Sequence, residues 1–293
     1  MNNSDLKISI IKTLSYHQVF NYPLTLLELH KYLIKTPASV NDTHDELANM
    51  PHVKTNDGRY CISKPEHFTT RRYTYAWNLI QKTQSQISRL TSMVGDILMV
   101  AVSGSCGALY PSPNADIDLF IITRQGTLWT TRALTLATLR GLGLHVDLKK
   151  DQGKNSGRMC ANLFIEDTIY QLEQQQRDLY TAMEIAHLKV IFNKQHTFER
   201  FLKANMWISE YLPNFVQIST SDWSLEDIPD DKVGNHAGVL KLGNRLAKNL
   251  QQNAYSLRHA QNLDVQNNWQ TDHRGIILSK FQELFKKNQN KVG

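Results

Sequence analysis

Two short polar segments, each beside an apolar run, contain residue types that bind phosphate and divalent cations. The first is the Ser-Gly-Ser segment Ser103–Ser105, which directly follows the apolar residues 97–102. The second is a pair of carboxylates, Asp116 and Asp118, at the start of the otherwise apolar stretch 116–122. Both apolar runs are bounded by turn residues, which is typical of buried strands. The chemistry of the two segments can be considered separately.

The Ser-Gly-Ser segment has the composition of a phosphate-binding turn. Gly104 has no Cβ, so its backbone can approach a ligand closely. Ser105 adds a hydroxyl to the free backbone N–H groups at the start of a helix, and such a place favours phosphate oxygens. We therefore predict that Ser103, Gly104 and Ser105 bind the phosphates of a nucleotide.

The two aspartates have the spacing of a metal site on a strand. Side chains alternate between the faces of a strand, so Asp116 and Asp118 should share one face while Ile117 points into the core. Neighbouring carboxylates repel each other unless a cation lies between them, and Mg²⁺ usually takes one or two carboxylates plus substrate phosphates. The pair therefore predicts a Mg²⁺ (or Mn²⁺) site for phosphoryl or nucleotidyl transfer.

The whole arrangement resembles the signature of the DNA polymerase β-like nucleotidyltransferase superfamily, in which a Gly-Ser turn is followed, after a short spacer, by Asp-apolar-Asp-apolar. Ser103–Ser105 and Asp116–Leu119 match that signature, with ten residues between Ser105 and Asp116. Further segments are similar to a group of bacterial proteins that carry this domain behind a winged-helix-like N-terminus. They are residues 20–25, 71–72, 128–129, 160–162, 205–207 and 211–214.

This resemblance implies an α+β fold and a reaction class. The expected core is a small mixed sheet with flanking helices, between an N-terminal winged-helix-like module and a C-terminal helical region. The implied reaction moves a nucleoside monophosphate from a nucleoside triphosphate to a hydroxyl or phosphate acceptor and releases pyrophosphate. Helices behind such a core commonly shape the acceptor pocket, and a small-molecule acceptor is favoured over nucleic acid or protein.

The superfamily usually has a third carboxylate, on the strand after the helix that follows the aspartates, and that group takes the proton from the attacking hydroxyl. Two residues are candidates here. Asp147 lies in the alternating segment 144–148, and Glu166 ends the apolar strand 160–166 on the same face as Asn162. If only Asn162 faces the metal, the base comes from elsewhere, or the chain is a catalytically degenerate nucleotide-binding or regulatory module.

Periodicity and turn signals divide the chain into four regions. Residues 1–67 have the helix and hairpin pattern of a winged-helix-like module, and residues 68–94 form a connector helix. Residues 95–175 contain the nucleotidyltransferase core, and residues 176–293 are mainly helical. We expect Arg71 and Arg72 in the connector either to face solvent or to reach the triphosphate. Trp129 is expected to lie in the core.

The charge distribution argues against a DNA-binding role for the N-terminal module. The chain has a net charge of +6, but the seven Lys or Arg of residues 1–70 are balanced by seven acids, and the surplus of six lies in residues 237–293. The third helix of this module carries Asp42, Asp45 and Glu46 and no Lys or Arg, whereas phosphate contacts need basic residues. A packing or protein-contact module is favoured over a DNA-associated regulator. The basic C-terminal surplus suits either a phosphate-bearing acceptor or a solvated surface.

Composition excludes several other classes of protein. No apolar run reaches the length of a membrane span, and the first residues lack the pattern of a secretory signal. The three cysteines give neither a disulfide framework nor paired zinc spacing. These features predict a cytoplasmic protein without a membrane partner.

Overall fold

The computed structural model describes residues 3–63, 70–146, 156–168, 170–220, 243–249, 251 and 271–292. They form a mixed α+β structure with two sheets, one of three strands and one of four. The predicted fold class is correct at this level. No helix within the described residues has the length and apolar character needed to cross a membrane.

The N-terminal part combines helices with the smaller sheet. Its elements are α1 (Asn3–Gln18), β1 (Leu24–Thr25), α2 (Leu26–Lys31), α3 (Val40–Ala48), β2 (Lys54–Asn56) and β3 (Arg59–Cys61), with antiparallel strands in the order β1-β3-β2. The Thr25 hydroxyl accepts from the Glu28 N–H and the Glu28 carboxylate accepts from the Thr25 N–H, which forms a capping box at the start of α2. Asp57 and Gly58 both have positive φ, 50° and 72°, as a two-residue hairpin turn requires.

The larger sheet forms the centre of the molecule. Its region contains α4 (Thr70–Met93), β4 (Ile97–Val102), α5 (Gly104–Gly107), β5 (Ile117–Thr123), α6 (Leu128–Gly141), β6 (Met159–Glu166), α7 (Leu179–Ala186) and β7 (Lys189–Asn193). The strand order is β6-β5-β4-β7, with β4 antiparallel to both neighbours and β5 parallel to β6. All six residues of β4 are buried, as expected for a central strand.

The C-terminal part is helical where it is described. It contains α8 (Thr197–Ala204), a 3₁₀ turn (Met206–Glu210), α9 (Pro213–Thr220), α10 (residues 243–249) and α11 (Thr271–Val292). Helix α11 packs along α1, with the rings of Phe281 and Tyr16 5.6 Å apart and Asn288 donating to the Ser15 hydroxyl at 3.0 Å. The last helix therefore returns to the first.

A buried aromatic layer joins α1 and α2 to the end of α7. The ring of His187 lies 4.8 Å from that of Tyr32 and 5.6 Å from that of His17. His17 Nδ1 contacts the Thr13 carbonyl oxygen at 2.9 Å, and burial lowers the pKa of His17 to about 4. The imidazole is neutral at pH 7, so the nitrogen that faces the carbonyl donates its proton. This layer fixes α1 beside the central sheet.

Candidate active site

The Ser-Gly-Ser segment lies between β4 and α5, directly against β5. The Ser103 N–H donates to the Asp118 carbonyl oxygen at 2.9 Å, and the Ser103 hydroxyl lies 3.4 Å from the same oxygen. Gly104 has a φ of +59°, and a Cβ at this position would lie 2.6 Å from Asp118 Oδ2. Glycine is thus required both by the backbone conformation and by the close approach of the aspartate.

The structure brings the two predicted aspartates together with a cysteine. Asp116, Asp118 and Cys160 each offer one ligand atom, and these atoms lie within 4.8 Å of one another. Cys160 is in β6, where the parallel register places it opposite Asp118 in β5. The position on β6 beside Asp118 is therefore occupied by a thiol.

Burial and mutual repulsion raise the pKa values of this group. The pKa of Asp118 rises to about 7, first because the carboxylate is largely removed from water and second because Asp116 is negatively charged. The pKa of the Cys160 thiol rises to about 12, through burial and the charges of Asp118 and Asp116. Cys160 is therefore a neutral thiol at physiological pH, which is a poor ligand for a hard cation. The carboxylate oxygens are the groups that suit Mg²⁺.

Glu166, a candidate for the third carboxylate, does not join this group. Glu166 lies six residues beyond Cys160 in β6, about 20 Å along the strand at the usual rise per residue. Its Oε1 accepts from the Leu128 N–H at 3.3 Å, so it caps the start of α6. The structure therefore does not bring Glu166 to the aspartate pair, because the strand carries it to the far end of the sheet. Asp147 lies outside the described residues, as does the side chain of Asn162.

The connector arginines do not contact the Ser-Gly-Ser segment. Arg72 donates from Nε to the Pro111 carbonyl oxygen at 3.0 Å and from a terminal nitrogen to the Tyr110 carbonyl oxygen at 2.7 Å. It therefore holds the loop after α5, and Arg71 is exposed. Trp129 packs partly buried against the core, close to its predicted place.

A cavity of about 400 Å³ adjoins the turn. The residues of Ser103–Ser105 and Asp118 form one part of its wall, and Asp116 and Cys160 are absent from its lining. Other parts of the wall come from the segments after α1 and α5, from α7 and the residue that precedes β7, from α11 and from the sheet. Most of these side chains are aromatic or aliphatic: Phe20, Tyr110, Phe120, Leu163, Tyr180, Leu188 and Ile277. Glu184 and His273 complete the described lining.

Glu184 is a further acidic residue of the site that the sequence analysis missed. It lies in α7 and faces the cavity together with Asp118. Burial, and then the charge of Asp118, raise the pKa of Glu184 to about 7. No hydrogen-bond donor from the described part of the chain reaches its carboxylate. The sequence could have indicated Glu184, because it is the single charged residue of the apolar helix Leu179–Ala186.

No protein-family model matches the chain, and no curated protein matches it either.

Proposed function

We propose that this chain is a metal-dependent nucleotidyltransferase that moves a nucleoside monophosphate from a nucleoside triphosphate to a small-molecule acceptor. One observation carries the proposal: Asp116 and Asp118 converge beside a glycine turn whose shape requires Gly104. The mixed sheet with flanking helices agrees with the polymerase β-like core that the sequence motif resembles. The reaction, the core assignment and the ligands below are all parts of this proposal.

The two carboxylates suit a Mg²⁺ or Mn²⁺ ion. Burial and the charge of Asp116 disfavour the ionised form of Asp118 in the metal-free protein. A cation between Asp116 and Asp118 would stabilise the ionised carboxylate. The bound ion would neutralise charge on the phosphates and align the attacking and leaving oxygens. Cys160, as a neutral thiol, packs beside the ligands without supplying charge.

The turn would bind the triphosphate through individual groups. Helix α5 is a single turn of four residues, so its macrodipole contributes little. The hydroxyls and backbone of Ser103 and Ser105, and the open face of Gly104, are partly exposed and line the cavity beside Asp118. In the reaction the acceptor hydroxyl would give its proton to water and its oxygen would bond to the α-phosphorus. The bond from that phosphorus to the bridging oxygen would break, and pyrophosphate would leave.

The N-terminal part fits a packing role better than DNA binding. Asp42 and Asp45 in α3 are exposed, and this helix carries no Lys or Arg. Phosphate backbones would be repelled from this face. We propose a winged-helix-like module that supports the catalytic core, in a protein of the cytoplasm, where its three free cysteines would stay reduced.

Calorimetric titration tests the nucleotide half of the proposal. Non-hydrolysable analogues of ATP, GTP, CTP and UTP would be added with and without Mg²⁺ to the wild type, Asp116→Asn and the distant control Glu166→Gln. We expect at least one analogue to bind only with Mg²⁺, and this binding to be lost in Asp116→Asn and kept in Glu166→Gln. Equal binding by the wild type and Asp116→Asn would contradict the proposal.

A second candidate function is nucleotide sensing by an inactive site. The site favours it, because a protonated thiol lies beside Asp118 and the described residues place no third carboxylate with the aspartate pair and this thiol. Measurement of pyrophosphate release separates the two functions. Metal-dependent nucleotide binding without release, across a broad set of hydroxyl acceptors, would favour the sensor.

A further inference from the structure

Part of the wall of the cavity beside Asp118 is acidic, which disfavours the binding of a triphosphate there. Its charged carboxyl groups are Asp118 and Glu184, and no Lys or Arg is among its described lining residues. A cation held by Asp116 and Asp118 would compensate the first carboxylate but leave Glu184 facing the cavity from α7. Phosphate oxygens would be repelled from that end.

No hydrogen-bond donor from the described residues reaches the Glu184 carboxylate, and the residue is only partly exposed. An ionised carboxylate in such a place needs either a proton or a positive partner. A ligand that brings a cation would therefore gain a charge-assisted hydrogen bond here.

The remaining wall favours the same kind of ligand. Rings from four residues, Phe20, Tyr110, Phe120 and Tyr180, line the cavity, and the rings of Phe20 and Tyr110 stack at 4.9 Å. Aromatic faces attract ammonium groups and bury apolar frames. A volume of about 400 Å³ is typical of small-molecule sites and is too small to enclose a polymer.

We propose that this cavity is the acceptor site and that the acceptor is a small organic amine with a hydroxyl group on an apolar or aromatic frame. The protonated amine would bind Glu184, the frame would pack on the aromatic wall, and the hydroxyl would point towards Asp118 and the turn. The assignment as an acceptor rests on the proposed nucleotidyl transfer. The binding of the amine itself does not.

The test uses three matched probes: naphthylalaninol, which has both the amine and the hydroxyl; naphthylpropanol, which lacks the amine; and naphthylpropanoate, which is an anion. Each is titrated calorimetrically into the full chain at pH 8 without nucleotide or metal. We expect naphthylalaninol to bind about tenfold more tightly than naphthylpropanol, which corresponds to about 1.4 kcal/mol for the added charge-assisted hydrogen bond. Naphthylpropanoate should bind most weakly.

Two variants locate the binding. Glu184→Gln should lose the preference for the amine, while the distant Glu166→Gln should keep it. Ile277→Trp, which fills the cavity from α11 and leaves both carboxylates in place, should weaken all three probes even if Glu184→Gln fails to fold. The proposal is overturned if no probe binds, if the amine gives no advantage, or if the advantage persists in Glu184→Gln.

The same titrations separate this inference from the proposed reaction. If naphthylalaninol binds as expected but no nucleotide analogue binds with Mg²⁺, the amine site stands and nucleotidyl transfer fails. If a nucleotide analogue binds through Asp116 but the amine probes do not, the reaction stands and the acceptor class is wrong.

Discussion

Replacing Asp118 by Asn is expected to stabilise the metal-free protein while it removes metal binding. The structure raises the pKa of this carboxyl from 3.8 to about 7, because it is buried beside Asp116. In the unfolded chain the carboxyl ionises freely above pH 4, whereas in the folded protein it holds its proton up to about pH 7. The folded state therefore loses stability as the pH rises through this window, and the asparagine variant does not.

The size of the effect follows from the two pKa values. Each tenfold difference in proton affinity corresponds to about 1.36 kcal/mol. The raised pKa of Asp118 therefore destabilises the folded state relative to the unfolded chain by about 4 kcal/mol at pH 8 and by about 1.5–2 kcal/mol at pH 5. The asparagine amide still has to be buried, which removes about 1–2 kcal/mol of the gain. The gain from Asp118→Asn should thus be about 2–3 kcal/mol larger at pH 8 than at pH 5.

Urea unfolding with EDTA at both pH values measures this difference. The comparison of the variant with the wild type at each pH cancels the titration of other groups that the substitution leaves unchanged. Glu166→Gln, which removes a carboxylate at the far end of β6, is the matched control. A variant that is less stable than the wild type at pH 8, or a gain equal at both pH values, would refute the reasoning.

Three further predictions concern the same structure. Gly104→Ala should lower the free energy of unfolding by about 1–2 kcal/mol, because residue 104 has a positive φ. It should also weaken Mn²⁺ binding, measured by electron paramagnetic resonance, because the new Cβ displaces the Asp118 carboxylate. Unchanged Mn²⁺ affinity would contradict this. Cys160 should react slowly with iodoacetamide up to pH 9, since its pKa is about 12, and rapid labelling in mass spectra at pH 8 would show that thiolate forms more easily. The pKa of His17 is lowered from 6.5 to about 4, so the wild type should lose about 2 kcal/mol of stability as the pH falls from 7 to 4.5, because the unfolded chain takes up the proton first. Urea unfolding of His17→Phe should lack that loss.

Local sequence patterns could predict the half of the site that is built from neighbouring residues. The turn at Gly104 and the pair Asp116 and Asp118 depend on one strand end and one strand alternation, and both are short-range properties. The capping box of Thr25 and Glu28 and the hairpin turn are equally local. Each of these features appears in the structure where the sequence places it.

The rest of the site depends on how distant segments meet. Cys160 reaches Asp118 only through the parallel register of β5 and β6, which the sequence does not specify. Glu166 has the right residue type and strand, but its position along β6 sends it to the opposite end of the sheet. Glu184 comes to the cavity because β7 pairs with β4 and brings α7 with it. Long-range pairing, rather than residue type, decided these three placements.

The central claim is that Asp116 and Asp118 hold a metal ion that binds a triphosphate at the turn. The most direct test is a crystal structure with Mn²⁺ and a non-hydrolysable triphosphate, with data collected at the manganese absorption edge. We predict an anomalous peak between the two carboxylates and phosphate density against Ser103–Ser105. An anomalous map without a peak between the carboxylates, together with a triphosphate bound elsewhere on the protein, would contradict the account.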